Sequence, residues 1–219
     1  MHADLETLTH ALLDAAGKAG AEAADAIATD GASLGIDVRA GALEQAERSE
    51  GIDLGLRVMI GRRQACVSVS ETSSDTMAEM AARAVAMARE APQDAGVRQA
   101  DPDALARDSD MTPLDLDDPA PEPAPDALEE MARTAEAAAL AVPGVATVET
   151  AAAGYGRRRV HLATSAGFSA GYARTEASLY CVAITGEGTA MERDYFGEGR
   201  THRADLPAPE EVGRIAGER

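Results

Sequence analysis

From Ile52 to Ile60 every second residue is aliphatic: Ile52, Leu54, Leu56, Val58 and Ile60 alternate with Asp53, Gly55, Arg57 and Met59. A period of two places all five on one face of an extended segment, and such a face has to be buried. The pattern therefore predicts a half-buried antiparallel strand. Gly61-Arg62-Arg63 reads as a turn into a further strand through Cys66, Val67 and Val69. Upstream, Leu34, Ile36 and Val38 make a shorter alternation. Composition limits what can cover this sheet. Of 219 residues only 2 are Phe and 4 Tyr, with no Trp, whereas 49 are Ala. The core must come from Leu, Val, Ile, Met and close alanine packing.

Helical periods flank the strands. Leu5, Leu8, Leu12, Leu13 and Ala16 lie on one face, with Gly17 and Gly20 marking the end. A second helix is predicted near Ser73-Ser74-Asp75-Thr76, where Thr76 and Glu79 have capping-box spacing. Met77, Met80, Ala81, Ala84 and Ala88 form its apolar stripe, and Pro92 stops it. A third has Asp126 and Glu129 as expected caps and Leu128, Met131, Ala135, Ala138 and Ala139 along one face, up to Pro143-Gly144. Short strands are then expected over 145–150, 159–164, 168–174, 175–185 and 190–196. Gly154-Tyr155-Gly156, Ser165-Ala166-Gly167 and Gly186-Glu187-Gly188 read as their turns. From Pro209 a last helix carries Val212, Ile215 and Ala216. It is expected to be cut at Arg219, with a following domain missing and Val212 and Ile215 short of packing partners.

Residues 91–126 differ in character. They hold seven of the ten prolines and ten acidic residues against Arg98 and Arg107. This is the composition of a spacer. The expected architecture is α+β: two helix–antiparallel-sheet–helix units joined by a Pro/Asp-rich connector. Its ranges are 1–90, the connector 91–125, and a truncated 126–219.

The formal net charge is −18 and the pI near 4.5. A chain without basic excess has little with which to displace counterions from nucleic acid or to bind anionic membranes. No apolar run approaches the roughly 18–20 residues that span a bilayer. The start, Met1-His2-Ala3-Asp4-Leu5-Glu6, lacks signal-peptide character. Cys66 and Cys181 stand apart from any CxxC pattern and read as small buried hydrophobes in a reducing, cytoplasmic setting.

Chemistry-bearing motifs are scarce. His2, His10, His161 and His202 are not followed by Glu and do not pair at i, i+4, so no HExxH-type zinc site is present. Nor is there a GxSxG elbow, P-loop or GxGxxG. Arg157-Arg158-Arg159 reads as a solvated hairpin paired with carboxylates, the alternative being a carboxylate or phosphate site. Arg174, Arg193, Asp194 and Tyr195 are interaction candidates on or near strands that should bury Leu179, Ile184, Met191 and Tyr195. An internal ion pair, a subunit contact and a substrate contact remain open for them. No catalytic, cofactor-binding or metal-ligating residue stands out.

Several stretches together resemble the TldD/PmbA family. The run from Ile52 through Ser70 into Glu71-Thr72-Ser73-Ser74-Asp75-Thr76 resembles its strand, glycine–basic turn and serine-rich helix start. Thr164-Ser165-Ala166-Gly167-Phe168 is similar to its NS-x-G-F turn, with Thr164 in place of Asn. Gly171-Tyr172-Ala173-Arg174-Thr175 and Met191-Glu192-Arg193-Asp194-Tyr195 resemble strands of the PmbA (TldE) branch. The resemblance implies a cytoplasmic subunit of a zinc metallopeptidase family, paired with a TldD-type partner in a complex that degrades or processes unfolded peptides. In the TldD branch an HExxxH motif holds the metal; none occurs here, so the resemblance puts zinc in the TldD-type partner. Two alternatives are an active metallopeptidase with ligands in a missing C-terminal region and a non-enzymatic regulator that binds gyrase.

Overall fold

The structure, a computed structural model, describes residues 4–219, so His2 lies outside it. In chain order it forms α1 (Leu5–Ala19), β1 (Ala23–Arg39), β2 (Ala42–Ile60), β3 (Arg63–Val69) and α2 (Ser74–Glu90). After the connector come α3 (Pro125–Leu140), β4 (Val145–Thr164), β5 (Ser169–Thr185), β6 (Glu192–Arg200) and α4 (Pro209–Glu218). The expected α+β class holds. The strands hydrogen-bond in the order β3-β2-β1-β4-β5-β6. β2 and β3 are antiparallel, with Leu56 opposite Val67. β5 and β6 are likewise antiparallel, with Tyr180 opposite Gly197.

Local chemistry accounts for most boundaries. α1 ends where Gly20 adopts φ +98°, a left-handed conformation that glycine takes without a Cβ penalty, and its N–H closes onto the Ala16 and Gly17 carbonyls. The cap of α2 is Ser73 rather than Thr76: its hydroxyl accepts the Thr76 N–H at 3.2 Å. α3 begins without a side-chain cap at all. Pro125 occupies its first turn, where the missing N–H costs nothing, and Asp126 and Glu129 do not fill the expected role.

Four strands are longer than the sequence pattern suggests. Gly154-Tyr155-Gly156 is not a turn but lies inside β4, so the hairpin expected there does not exist. β5 similarly joins two expected strands into one. The true reversals are Ala40-Gly41, Gly61-Arg62, Ser165-Ala166-Gly167 and the segment opened by Gly186. Ala40 and Gly41 both have positive φ (52° and 71°), as a tight two-residue hairpin requires.

The chain divides into two compact units that interleave in sequence. The first comprises residues 1–31, 51–113 and 158–173; the second comprises 32–50, 114–157 and 174–219. In the first, α1 and α2 bury Leu12, Ala16, Met77, Met80, Ala81, Ala84 and Ala88 with Leu54, Leu56 and Val58. In the second, α3 and α4 bury Leu128, Ala132, Ala135, Ala139, Val212 and Ala216 with Ile36, Val38, Leu179 and Cys181. Each fully buried Leu or Val contributes about 1.5–3 kcal/mol relative to exposure. Val212 is fully buried, which corrects the expectation that it lacks partners: Ala135 and the α3 face already cover it.

Candidate functional site

A cavity of about 750 Å³ lies in the first unit. Its floor is the sheet face opposite α1 and α2, because Asp25, Ile27, Gly55, Arg57, Cys66, Ser68, Leu162 and Thr164 alternate with the core positions on the same strands. One wall is Gln99 to Ala106 of the connector, and Phe168 adds an aromatic edge. Ile27 and Leu162 remain 39% and 37% exposed. The polar groups beside it satisfy each other. Arg57 Nε donates to Asp25 Oδ2 at 2.7 Å, and Gln99 Nε2 donates to Asp25 Oδ1 at 2.8 Å and to the Ala24 carbonyl at 2.9 Å. Ser165 Oγ donates to Gln99 Oε1 and accepts from the Ala24 N–H. Cys66 is exposed, contrary to the sequence expectation, because it takes the outer position between buried Ala65 and half-buried Val67. Cys181 is buried as expected, and burial pushes its thiol up to about 12.

A smaller hollow of about 390 Å³ occurs in the second unit. Gly35, Gly154 and Gly156 line it together with Ser33, Ser178, Glu47 and Glu176. Two other polar arrangements are structural. Arg133 Nη1 donates to the Gly41 carbonyl while Glu136 Oε2 accepts the Gly41 N–H at 2.8 Å, so α3 holds the β1–β2 turn through both its backbone groups. In the first unit Thr9 spends its only hydroxyl proton on the Glu6 carbonyl, so it accepts from His161 Nδ1 at 2.8 Å. Ser169 Oγ then lies 2.9 Å from His10 Nε2 and 3.4 Å from His161 Nε2. Burial holds His161 below its ordinary value.

The four interaction candidates do not form one cluster. Arg193, Asp194 and Tyr195 are consecutive on β6, where Arg193 faces Ile184 in register. Arg174 lies ten residues from Ile184 along β5, roughly 33 Å in an extended strand. Arg193 Nη1 pairs with Glu149 Oε2 at 2.8 Å at the solvent-exposed surface. Asp194 Oδ1 accepts the Tyr195 N–H at 2.7 Å. Tyr195, on the last strand of the sheet, and Met191, in the turn just before it, are 63% and 56% exposed, not buried as expected. Of the arginine run, Arg157 pairs with Asp117 and Arg159 with Asp30, which fits the carboxylate-pairing reading. The cavity itself was invisible to motif search. Its one signal was the mixed outer face of β2, Gly55 and Arg57, set beside a connector carrying Gln99 and Leu105.

Among the described residues no group of three or more His, Cys, Asp or Glu side chains could hold a metal ion. No helix among them is long and apolar enough to cross a membrane. Residues 24–88 match the family model for PmbA/TldA metallopeptidase domain 1, and residues 117–219 match that for the PmbA/TldA metallopeptidase central domain. No curated protein matches the chain. Among solved structures, a putative modulator of DNA gyrase from Bacteroides thetaiotaomicron is similar at TM-score 0.83 and 21% identity, over 98% of this chain and 48% of that one. TldE from Thermococcus kodakarensis is similar at TM-score 0.77 and 17% identity, over 96% and 46%. A putative modulator of a DNA gyrase from Thermotoga maritima follows at 0.70 and 15%, over 98% and 47%. The chain thus spans about half the length of the structures it matches.

Proposed function

The chain belongs to the PmbA/TldD metallopeptidase family, and from that premise we propose that it is the N-terminal portion of a PmbA/TldE-type subunit. In this reading it partners a TldD-type subunit in a cytoplasmic complex that degrades or processes unfolded peptides. The observation that carries the reading is the succession of the family's first and central domains along 24–88 and 117–219. The likeness in fold to a TldE structure supports the choice of branch.

Zinc, which the family implies, does not fit the donors among the described residues. Ser169 and Thr9 engage the nitrogens of His10 and His161, His202 Nε2 bonds the Asp115 carbonyl, and among the described residues no group of three His, Cys, Asp or Glu side chains could hold a metal ion. The proposal therefore assigns this chain no step through the metal and places zinc in the TldD-type partner. What the chain supplies is surface: sheet faces and a cavity beside which an unfolded peptide can lie.

Co-expression with a TldD-type subunit from the same genome tests this. The two should co-elute on size exclusion, and peptide hydrolysis should require the partner. Peptide hydrolysis by the chain alone, with one tightly held zinc per chain, would overturn the assignment in favour of an active peptidase. Capture of gyrase without any TldD-type association would overturn it in favour of a regulator.

A further inference from the structure

In the first unit, α1 meets the sheet through two polar contacts made by adjacent residues. Thr9 reaches His161 on β4, and His10 reaches Ser169, the first residue of β5. Thr9 and His161 are buried, whereas His10 and Ser169 are exposed, so solvent protons have direct access to one end of the group. The deepest apolar anchors of the helix, Leu12 and Ala16, lie beyond this pair. The first turns of α1 therefore depend more on the polar group than its second half does.

The hydrogens can be placed from the donor count. Thr9 Oγ1 gives its proton to the Glu6 carbonyl at 2.9 Å, so His161 Nδ1 carries a hydrogen and, in the neutral ring, Nε2 does not. Ser169 Oγ lies 3.4 Å from that Nε2 and 2.9 Å from His10 Nε2. Both contacts are made when the hydroxyl donates to His161 and accepts from a His10 Nε2–H, whether His10 is neutral or charged. A proton added to His161 can sit only on Nε2. The hydroxyl oxygen could accept from both rings, so charge rather than hydrogen-bond count limits the group. Two imidazoliums would then stand with ring centres 6.2 Å apart, one of them buried. On α1, Glu6 and Asp4 attract a proton to His161 and His10 opposes it. β5 offsets none of this, since it faces the ring with neutral Ser169 and with Gly171, where a Cβ would come 3.0 Å from His161 Cδ2. Burial outweighs the two carboxylates and holds His161 below 6.5.

We propose that His10, Ser169 and His161 form an acid-sensitive latch: with at most one imidazole charged it holds the first turns of α1 against β4 and β5, and with both charged it lets them go. The sign follows from the buried ring. Its contribution is fully present above pH 6.5 and is lost as pH falls through the folded value, because the opened form exposes His161 and takes up the proton more readily. Each unit of depression favours the open form about tenfold at acid pH.

This latch is independent of the peptidase reading, and the 219-residue chain suffices to test it. Amide hydrogen exchange read by mass spectrometry gives protection factors for α1 and α2 from about pH 7.5 down to about pH 5. Protection over residues 7–12 of α1 should fall roughly tenfold or more across this range. The α2 amides, the control for global unfolding, should keep theirs. His10→Gln retains a side-chain donor for Ser169 but cannot be charged, so the fall should shrink and move to lower pH. His161→Gln leaves nothing to titrate at the buried position and should remove the pH dependence, whatever level of protection it starts from. If His161→Gln does not fold, His10→Gln, at an exposed site, decides in its place. Protection of α1 that stays flat to pH 5 in the parent chain, an equal fall in α2, or an unchanged fall in either variant would overturn the proposal.

Discussion

His202 shows how a residue without any sequence signature becomes a structural tie. Its Nε2 donates to the Asp115 carbonyl at 3.1 Å and sits 3.2 Å from Asp115 Oδ2, with Asp118 Oδ1 at 3.9 Å from Nδ1. The backbone bond to Asp115, followed by the carboxylates, raises its pKa above the ordinary 6.5. Asp118 accepts N–H groups from Ala120 and Arg203, which lowers its pKa below 3.8. The signs differ. His202 contributes stability fully below pH 6.5 and loses it as pH rises through the folded value. Asp118 contributes above 3.8 and loses it as pH falls. His202→Gln should therefore flatten the decline of the urea midpoint above pH 6.5 and move the acid limb only slightly, because the Ala120 and Arg203 N–H groups contribute more than His202 to holding Asp118 down. A slope above 6.5 identical to that of the parent chain would contradict this. The partners lie more than eighty residues upstream, so no local pattern announces them.

At the scale of elements, α3 and α4 meet through a glycine. A Cβ on Gly213 would fall 1.9 Å from the Ala135 carbonyl oxygen and 2.8 Å from its carbon, both rigid backbone atoms. Two effects compete in Gly213→Ala. Alanine improves helix propensity by about 1 kcal/mol, but overpacking costs typically 1–3 kcal/mol and more where backbone must move. The clash dominates, and the variant should lose about 2 kcal/mol or more in chemical denaturation. A gain in stability would show that the helices slide apart freely. Gly154 follows the same logic within β4. It reads as a turn residue in sequence, yet its bare Cα makes room for Ser178, whose Oγ lies 2.9 Å from the position a Cβ would take. The first half of β2 was illegible for the opposite reason. Leu43 to Glu50 is charged and exposed, with no alternation to reveal a strand that its ladder holds rather than its burial.

At the scale of the molecule, the connector is tied at its ends and free between them. Gln99 binds Ala24 and Asp25 in the first unit, while the Leu116 carbonyl accepts the Thr175 N–H in the second. Between these anchors, Asp101, Asp108 and Asp110 bond to backbone N–H groups two residues on, and Asp110 also to the Thr112 side chain. Trypsin should cut first after the exposed Arg107, ahead of any arginine in a strand, and the products should stay associated under native conditions. A first cut within β2 or β4 would contradict that reading.

What the amino-acid sequence determined alone is whatever depends on near neighbours. The alternation of Ile52–Ile60, the stripes of α1, α2 and α3, the stop at Pro92 and the proline spacer all follow from periodicity and backbone restriction within a few residues. The tertiary structure alone decided matters that need distant atoms. It merged expected short strands into β4 and β5, since hydrogen bonding along a ladder can carry a strand through glycines that would otherwise turn. It buried Val212 against α3 and exposed Tyr195 on the edge strand. It also brought Asp25, Arg57, Gln99 and Leu162 to one cavity across more than a hundred residues, because sheet order, which no local spacing encodes, chooses which outward-facing side chains become neighbours.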